Sequence, residues 1–206
     1  MTPKSPTLPE PQGIHVRPAQ LGDICLLLEP KRDDEILNLK QWQTDLLSRF
    51  GGEPIERVHL TCQRFACLDD NRIQAFTTSL EQTVSTVDPF PLTAISLQTL
   101  LVAFRKTHIL KWQVQVTDEV QQFATTVESL LGVVGIEPLY ISGFTSSLVA
   151  ALKDVSELAA DRLSSYGSFP HHLFTAEQAV LSKIMGANEF EILASVEIGT
   201  RSLTCL

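Results

Sequence analysis

Two hydrophobic periods alternate along this chain. Spacing of three to four residues marks helix faces, and apolar runs or strict alternation mark strands. Ile24-Cys25-Leu26-Leu27-Leu28 is an apolar run closed by Pro30 and predicts a buried strand. Ile36, Leu39, Trp42, Leu46, Leu47 and Phe50 follow at helical spacing, with Asp33 or Asp34 to cap them and Gly51-Gly52 to stop them. Arg57 to Phe65 is rich in apolar residues and Thr and predicts a second strand. Ile73, Phe76, Leu80 and Val84 predict a second helix, opened by Asp69, Asp70 or Asn71.

Pro89 and Pro91 break the chain, and Leu92 to Phe104 predicts one or two strands. His108 to Val116 alternates cleanly: His108, Leu110, Trp112, Val114 and Val116 take one face; Ile109, Lys111, Gln113 and Gln115 take the other. Asp118 caps a helix to about Leu131, and Leu139 to Phe144 predicts a strand. The spacing predicts helices over 148–163 and 176–185, and Phe190, Ile192, Ala194, Val196 and Ile198 predict a closing strand. Element types thus repeat, strand–helix–strand, although the residues do not.

Composition narrows the class. With 206 residues, 44% hydrophobic and 19% charged, the chain has material for one domain with a sizeable core. A formal net charge of -8 argues against gripping a long duplex by its phosphates, while leaving room for a short nucleotide or RNA end in a local pocket. Cys25, Cys62, Cys67 and Cys205 show no CxxC spacing and read as free thiols of a reducing compartment. No apolar run reaches about 18 residues, so no membrane span is expected. The Pro-rich residues 1–22 lack a signal-peptide core and read as a flexible arm of a cytoplasmic protein.

The candidate chemistry lies in Val58-His59-Leu60-Thr61. Strand alternation puts His59, Thr61, Gln63 and Phe65 on one face and Val58, Leu60, Cys62 and Arg64 on the other. An imidazole beside a hydroxyl donor is a usable acid/base and anion-binding pair. From the tripeptide alone, an ordinary partly buried histidine next to an ordinary strand threonine is the plainer reading, since a lone His-x-Thr is a weak signal. No glycine-rich phosphate loop, nucleophile elbow or paired-carboxylate motif appears.

Taken in order, Leu26-Leu27-Leu28-Glu29-Pro30, the helix from Glu35, Val58-His59-Leu60-Thr61, Pro89-Phe90-Pro91-Leu92, Ile109 to Val116 and the helix from Asp118 resemble the two-histidine (2H) phosphoesterase superfamily, which includes 2'-5' RNA ligase-like proteins and cyclic nucleotide phosphodiesterases. The resemblance covers roughly residues 23–145 and the closing strand. It implies an α+β, bilobal fold over residues 23–206, with two antiparallel sheets around a central cleft and helices outside. Residues 146–188 then stand as a helical insertion outside the family pattern.

The resemblance also implies metal-independent, cofactor-free acid/base catalysis on a small phosphodiester, such as a 2',3'-cyclic phosphate or an RNA 3' end. In that scheme His59 is the acid/base group and Thr61 holds phosphate oxygens. Tyr140 and Ser142 stand where the second His-x-Thr/Ser motif is expected, and Tyr140 replaces its histidine. A phenol with an ordinary pKa of about 10 is a poor base at neutral pH. Losing one of two acid/base groups costs about a hundred- to ten-thousand-fold in rate. His108, His171 and His172 are the possible replacements, and Lys111 and Arg64 the possible phosphate contacts. Three functions stay open: a phosphoesterase, a nucleotide- or RNA-end-binding module without turnover, and an interaction scaffold.

Overall fold

The computed structural model describes residues 14–15, 17, 19–102, 107–141, 146–152, 169–186 and 189–199. Short β1 (Ile14–His15) leads to β2 (Ile24–Leu28), α1 (Asp33–Phe50), β3 (Glu53–Phe65), α2 (Asp70–Val84), β4 (Phe90–Val102), β5 (Thr107–Val114) and α3 (Asp118–Val133). Then come β6 (Tyr140–Ile141), β7 (Ser146–Leu152), β8 (His171–Ala176), β9 (Gln178–Ile184) and β10 (Phe190–Glu197). The fold is α+β with two antiparallel sheets, β1-β6 and β10-β9-β2-β3-β7-β5-β4-β8.

The larger sheet divides into corresponding halves. β2–α1–β3 ends one half and β5–α3–β7 ends the other, and β3 pairs antiparallel with β7 at the seam. The expected lobes are thereby joined edge to edge through backbone hydrogen bonds. Helices α1, α2 and α3 bury one apolar stripe each in a common cluster with the sheet. Phe65, Phe76, Phe90, Trp112, Phe123 and Phe174 are its largest fully buried side chains. The caps follow the sequence: Asp69 accepts from Arg72 N, and Gly51 closes α1 with φ 71°. At α3 the cap is Thr117, one residue ahead of the expected Asp118.

Two predicted helices are strands, which corrects the helical reading of 146–188. Residues 148–152 fall in β7, hydrogen-bonded to β3 and β5; 153–163 lie outside the described residues. Residues 176–185 form the end of β8 and all of β9. β9 is flanked by β2 and β10, and Ala179, Val180 and Leu181 are all buried. A strand buried on both faces loses its alternation, and its apolar run imitates a helix face. The N-terminal segment is partly tied to the body: Ile14–His15 pairs with β6, and Arg17 makes a bidentate pair with buried Asp23 at 2.6 and 2.8 Å.

A second correction concerns β3. Leu28 faces Leu60 and Leu27 faces Thr61, but Leu26 faces Gln63 and Ile24 faces Phe65. One extra residue, Cys62, is absorbed in a bulge, and alternation reverses across it. Phe65 packs on Phe76 of α2 at 5.3 Å in the helix-side core instead of standing beside His59. Arg64 faces Cys25, on the side of the sheet that carries Leu27, Thr61 and His59.

Candidate functional site

His59 sits near the seam, with Leu148 of β7 directly opposite. It is 2% exposed, and the edge of Phe190 lies against it at 5.5 Å. Its Nδ1 lies 2.7 Å from the Arg57 carbonyl oxygen. A carbonyl only accepts, so Nδ1 carries the proton and Nε2 keeps its lone pair. Burial pushes the imidazole pKa down to about 4; the Arg57 carbonyl pulls it back up in part and the Arg57 charge lowers it. His59 is therefore neutral at pH 7, with the ring proton on Nδ1 and the lone pair on Nε2.

Thr61 is half-buried on the same face, two positions along β3. Across the seam the register runs His59–Leu148–Lys111–Gln98, so Lys111 stands two strands from His59, about 10 Å away by strand spacing. Lys111 is half-buried, and burial lowers its ammonium pKa. Gln113, next on that face, faces Ser146 of β7 and accepts from Ser96 Oγ at 2.9 Å. A hydroxyl, an imidazole, a lysine and an amide thus share one face of β3–β7–β5. The polar half of the His108–Val116 alternation signalled Lys111 and Gln113; Ser96 on β4 had no such signal.

Other sequence candidates lie elsewhere. Tyr140 belongs to β6, opposite His15, and Leu139 N–H donates to Arg64 O at 2.6 Å, at the far end of β3 from His59. The place beside His59 on the paired strand belongs to β7. Ser142 lies outside the described residues. His171 stacks on Trp42 of α1 at 3.8 Å, and His172 Nε2 lies 3.4 Å from Glu35 of α1. Both histidines are thus engaged with α1, away from Lys111 and Thr61. His108 opens β5 opposite Leu152. Arg64 is 3.8 Å from Asp23 and donates to the Arg17 carbonyl, which holds its guanidinium. Trp42 and Trp112 pack together at 6.0 Å beneath the sheet, as core.

Among the described residues no three His, Cys, Asp or Glu converge as metal ligands. Two cavities lined by described residues measure about 320 Å³, between α2 and β10, and about 180 Å³, beside Glu29, Lys40 and Arg57. Neither is lined by His59 or Thr61. No helix among the described residues is long and apolar enough to cross a membrane.

No protein-family model matches the sequence, and no curated protein does. Solved structures do match. LigT of E. coli in complex with 3'-AMP is 13% identical, with a TM-score of 0.57 over 87% of this chain and 99% of that one. A crystal structure of a phosphoesterase gives 13% identity and a TM-score of 0.59 over the same shares. A protein of Thermus thermophilus gives 13% and 0.58, again over 87% and 99%. LigT has also been solved with NADP+ and with ATP. The seam between two strand–helix–strand halves and these near full-length superpositions agree: the chain has the fold of the two-histidine phosphoesterases.

Proposed function

We propose that this chain binds a small phosphate-bearing nucleotide or an RNA 3' end on the face carrying His59, Thr61 and Lys111, and that it turns such esters over with one general base in place of an acid/base pair. The reading is carried by one observation. β7, the strand paired with β3 at His59, reads Ser-Ser-Leu-Val-Ala-Ala-Leu, without a second histidine. The fold it shares with LigT, solved with 3'-AMP, supports the ligand class.

In this reading the Thr61 hydroxyl donates to a non-bridging phosphate oxygen and the Lys111 ammonium balances its charge. Neutral His59 accepts a proton from the attacking water at Nε2, as a weak base, because its pKa of about 4 lies well below neutral pH. A leaving oxygen then departs without a positioned acid, so hydrolysis of a 2',3'-cyclic nucleotide runs about a hundred- to ten-thousand-fold below that of a two-histidine site. Tyr140 takes no part, because it lies at the other end of β3.

Calorimetric titration with 3'-AMP, paired with product analysis on 2',3'-cyclic AMP, tests this. Binding weakened about tenfold by Thr61→Ala, with slow hydrolysis abolished by His59→Ala, is the expected result. Absence of binding refutes the ligand class, and hydrolysis that survives His59→Ala refutes the single-base mechanism.

A further inference from the structure

We propose that the half-buried Glu29–Arg57 ion pair is a positioning device for His59: it holds the Arg57 main chain so that its carbonyl takes Nδ1–H and the ring lone pair stays on Nε2. The inference deepens the function proposed above and rests on it for its chemical purpose.

The need for such a device lies in the sheet register. The β2–β3 pairing ends at Leu28 opposite Leu60. The β3–β7 pairing jumps from Pro54–Ala150 to His59–Leu148, so Ile55 to Val58 span four positions of β3 against one of β7. The ladder therefore does not fix the backbone that supplies the carbonyl. Two side chains from outside the strand grip this bulged segment. Gln43 of α1 donates from Nε2 to Ile55 O at 2.8 Å. Arg57 Nη2 donates to Oε2 of Glu29, just past the end of β2, at 2.7 Å, and Arg57 Nε lies 2.6 Å from Oε1. Two close contacts between planar charged groups fix orientation as well as distance.

Glu29 is 7% exposed and the Arg57 side chain 27%, so the carboxylate is largely removed from solvent and the guanidinium only in part. Burial raises the Glu29 pKa, and its contacts with Arg57 oppose that rise. The charge acting directly on the imidazole is Arg57 on its own strand; Glu29, just past the end of β2, pairs with Arg57, and Lys111 stands two strands away on β5. Glu29 balances the Arg57 charge, and its loss leaves that charge acting on His59 alone.

The test is nitrogen-15 NMR of the His59 ring in the full chain across pH, in the wild type, Glu29→Gln and Arg57→Gln. Wild-type His59 is expected as a single Nδ1–H tautomer. Arg57→Gln raises its pKa and Glu29→Gln lowers it, each by roughly half a pH unit or more. Glu29→Gln also mixes the tautomers, because the Arg57 carbonyl is no longer held. Glu29→Asp, which keeps the charge but shortens the reach, leaves the pKa near the wild-type value and still mixes the tautomers. An Nε2–H wild-type ring overturns the proposal, and so does a single Nδ1–H tautomer in both Glu29 variants, which makes the pair merely structural. A chain that shows these shifts yet binds no 3'-AMP refutes the function above and leaves the positioning intact.

Discussion

His59 enters the folded protein neutral and stays so until about pH 4, whereas an unfolded histidine titrates near 6.5. Between those values the unfolded chain binds the extra proton, so stability rises with pH through that window. The contribution is fully present above pH 6.5 and is lost as pH falls toward 4, in total about 3 kcal/mol. Urea denaturation at pH 7 and pH 4.5 checks this: His59→Gln flattens the pH dependence by roughly 2 to 3 kcal/mol relative to wild type. Glu29, whose carboxyl is raised by burial, works in the opposite direction and remains in both proteins, so the comparison isolates the imidazole. Lys111 makes a complementary case. Its ammonium is partly desolvated, with burial as the cause of its lowered pKa. Lys111→Met is expected to leave urea stability unchanged or improved while weakening 3'-AMP binding about tenfold. A loss of stability without a loss of binding makes Lys111 structural instead.

Among the elements, the sequence is legible wherever one face is wet. The amphipathic helices α1, α2 and α3 and the alternating strand β5 keep a polar side, and their periodicity places each near its true bounds. β7 and β9 have a hydrogen-bonded strand on either side and apolar runs, so periodicity does not separate them from helices. The Cys62 bulge is equally hidden. Nothing in Leu60-Thr61-Cys62-Gln63-Arg64-Phe65 marks where a residue is skipped, and one skipped residue moves Arg64 and Phe65 to opposite faces. The same limit explains the site. His59 and Thr61 precede the bulge, so alternation puts them together correctly. Tyr140, read from a strand over Leu139 to Phe144, lies instead in β6 opposite His15, and the strand beside His59 is β7. One contact between elements is itself testable. Glu35 of α1 is 5% exposed, accepts from Thr175 N of β8 at 2.9 Å and lies 3.4 Å from His172. Glu35→Ala orphans the Thr175 N–H and is expected to cost about 1–3 kcal/mol in urea denaturation. A cost below about 0.5 kcal/mol shows that Glu35 does not tether β8 to α1.

Over the molecule as a whole, two strand–helix–strand halves meet at β3–β7, and His59 is the one histidine on those two strands. Shape is shared here with little shared sequence: 13% identity accompanies superposition over 87% of the chain, since the fold needs apolar stripes and register while chemistry needs particular side chains. The face at the seam still offers a hydroxyl, a lysine and a neutral imidazole within about two strand spacings. In the function proposed above, that arrangement holds a phosphate better than it cleaves its ester. An amide NMR titration of the full chain with 3'-AMP is the decisive experiment. Saturable shifts centred on Thr61, Lys111 and Gln113, at β3 and β5, are expected. Saturable shifts centred on Ile73, Thr77 and Leu193 in the cavity between α2 and β10, or no saturable shifts at all, overturn the assignment of this face as the nucleotide site.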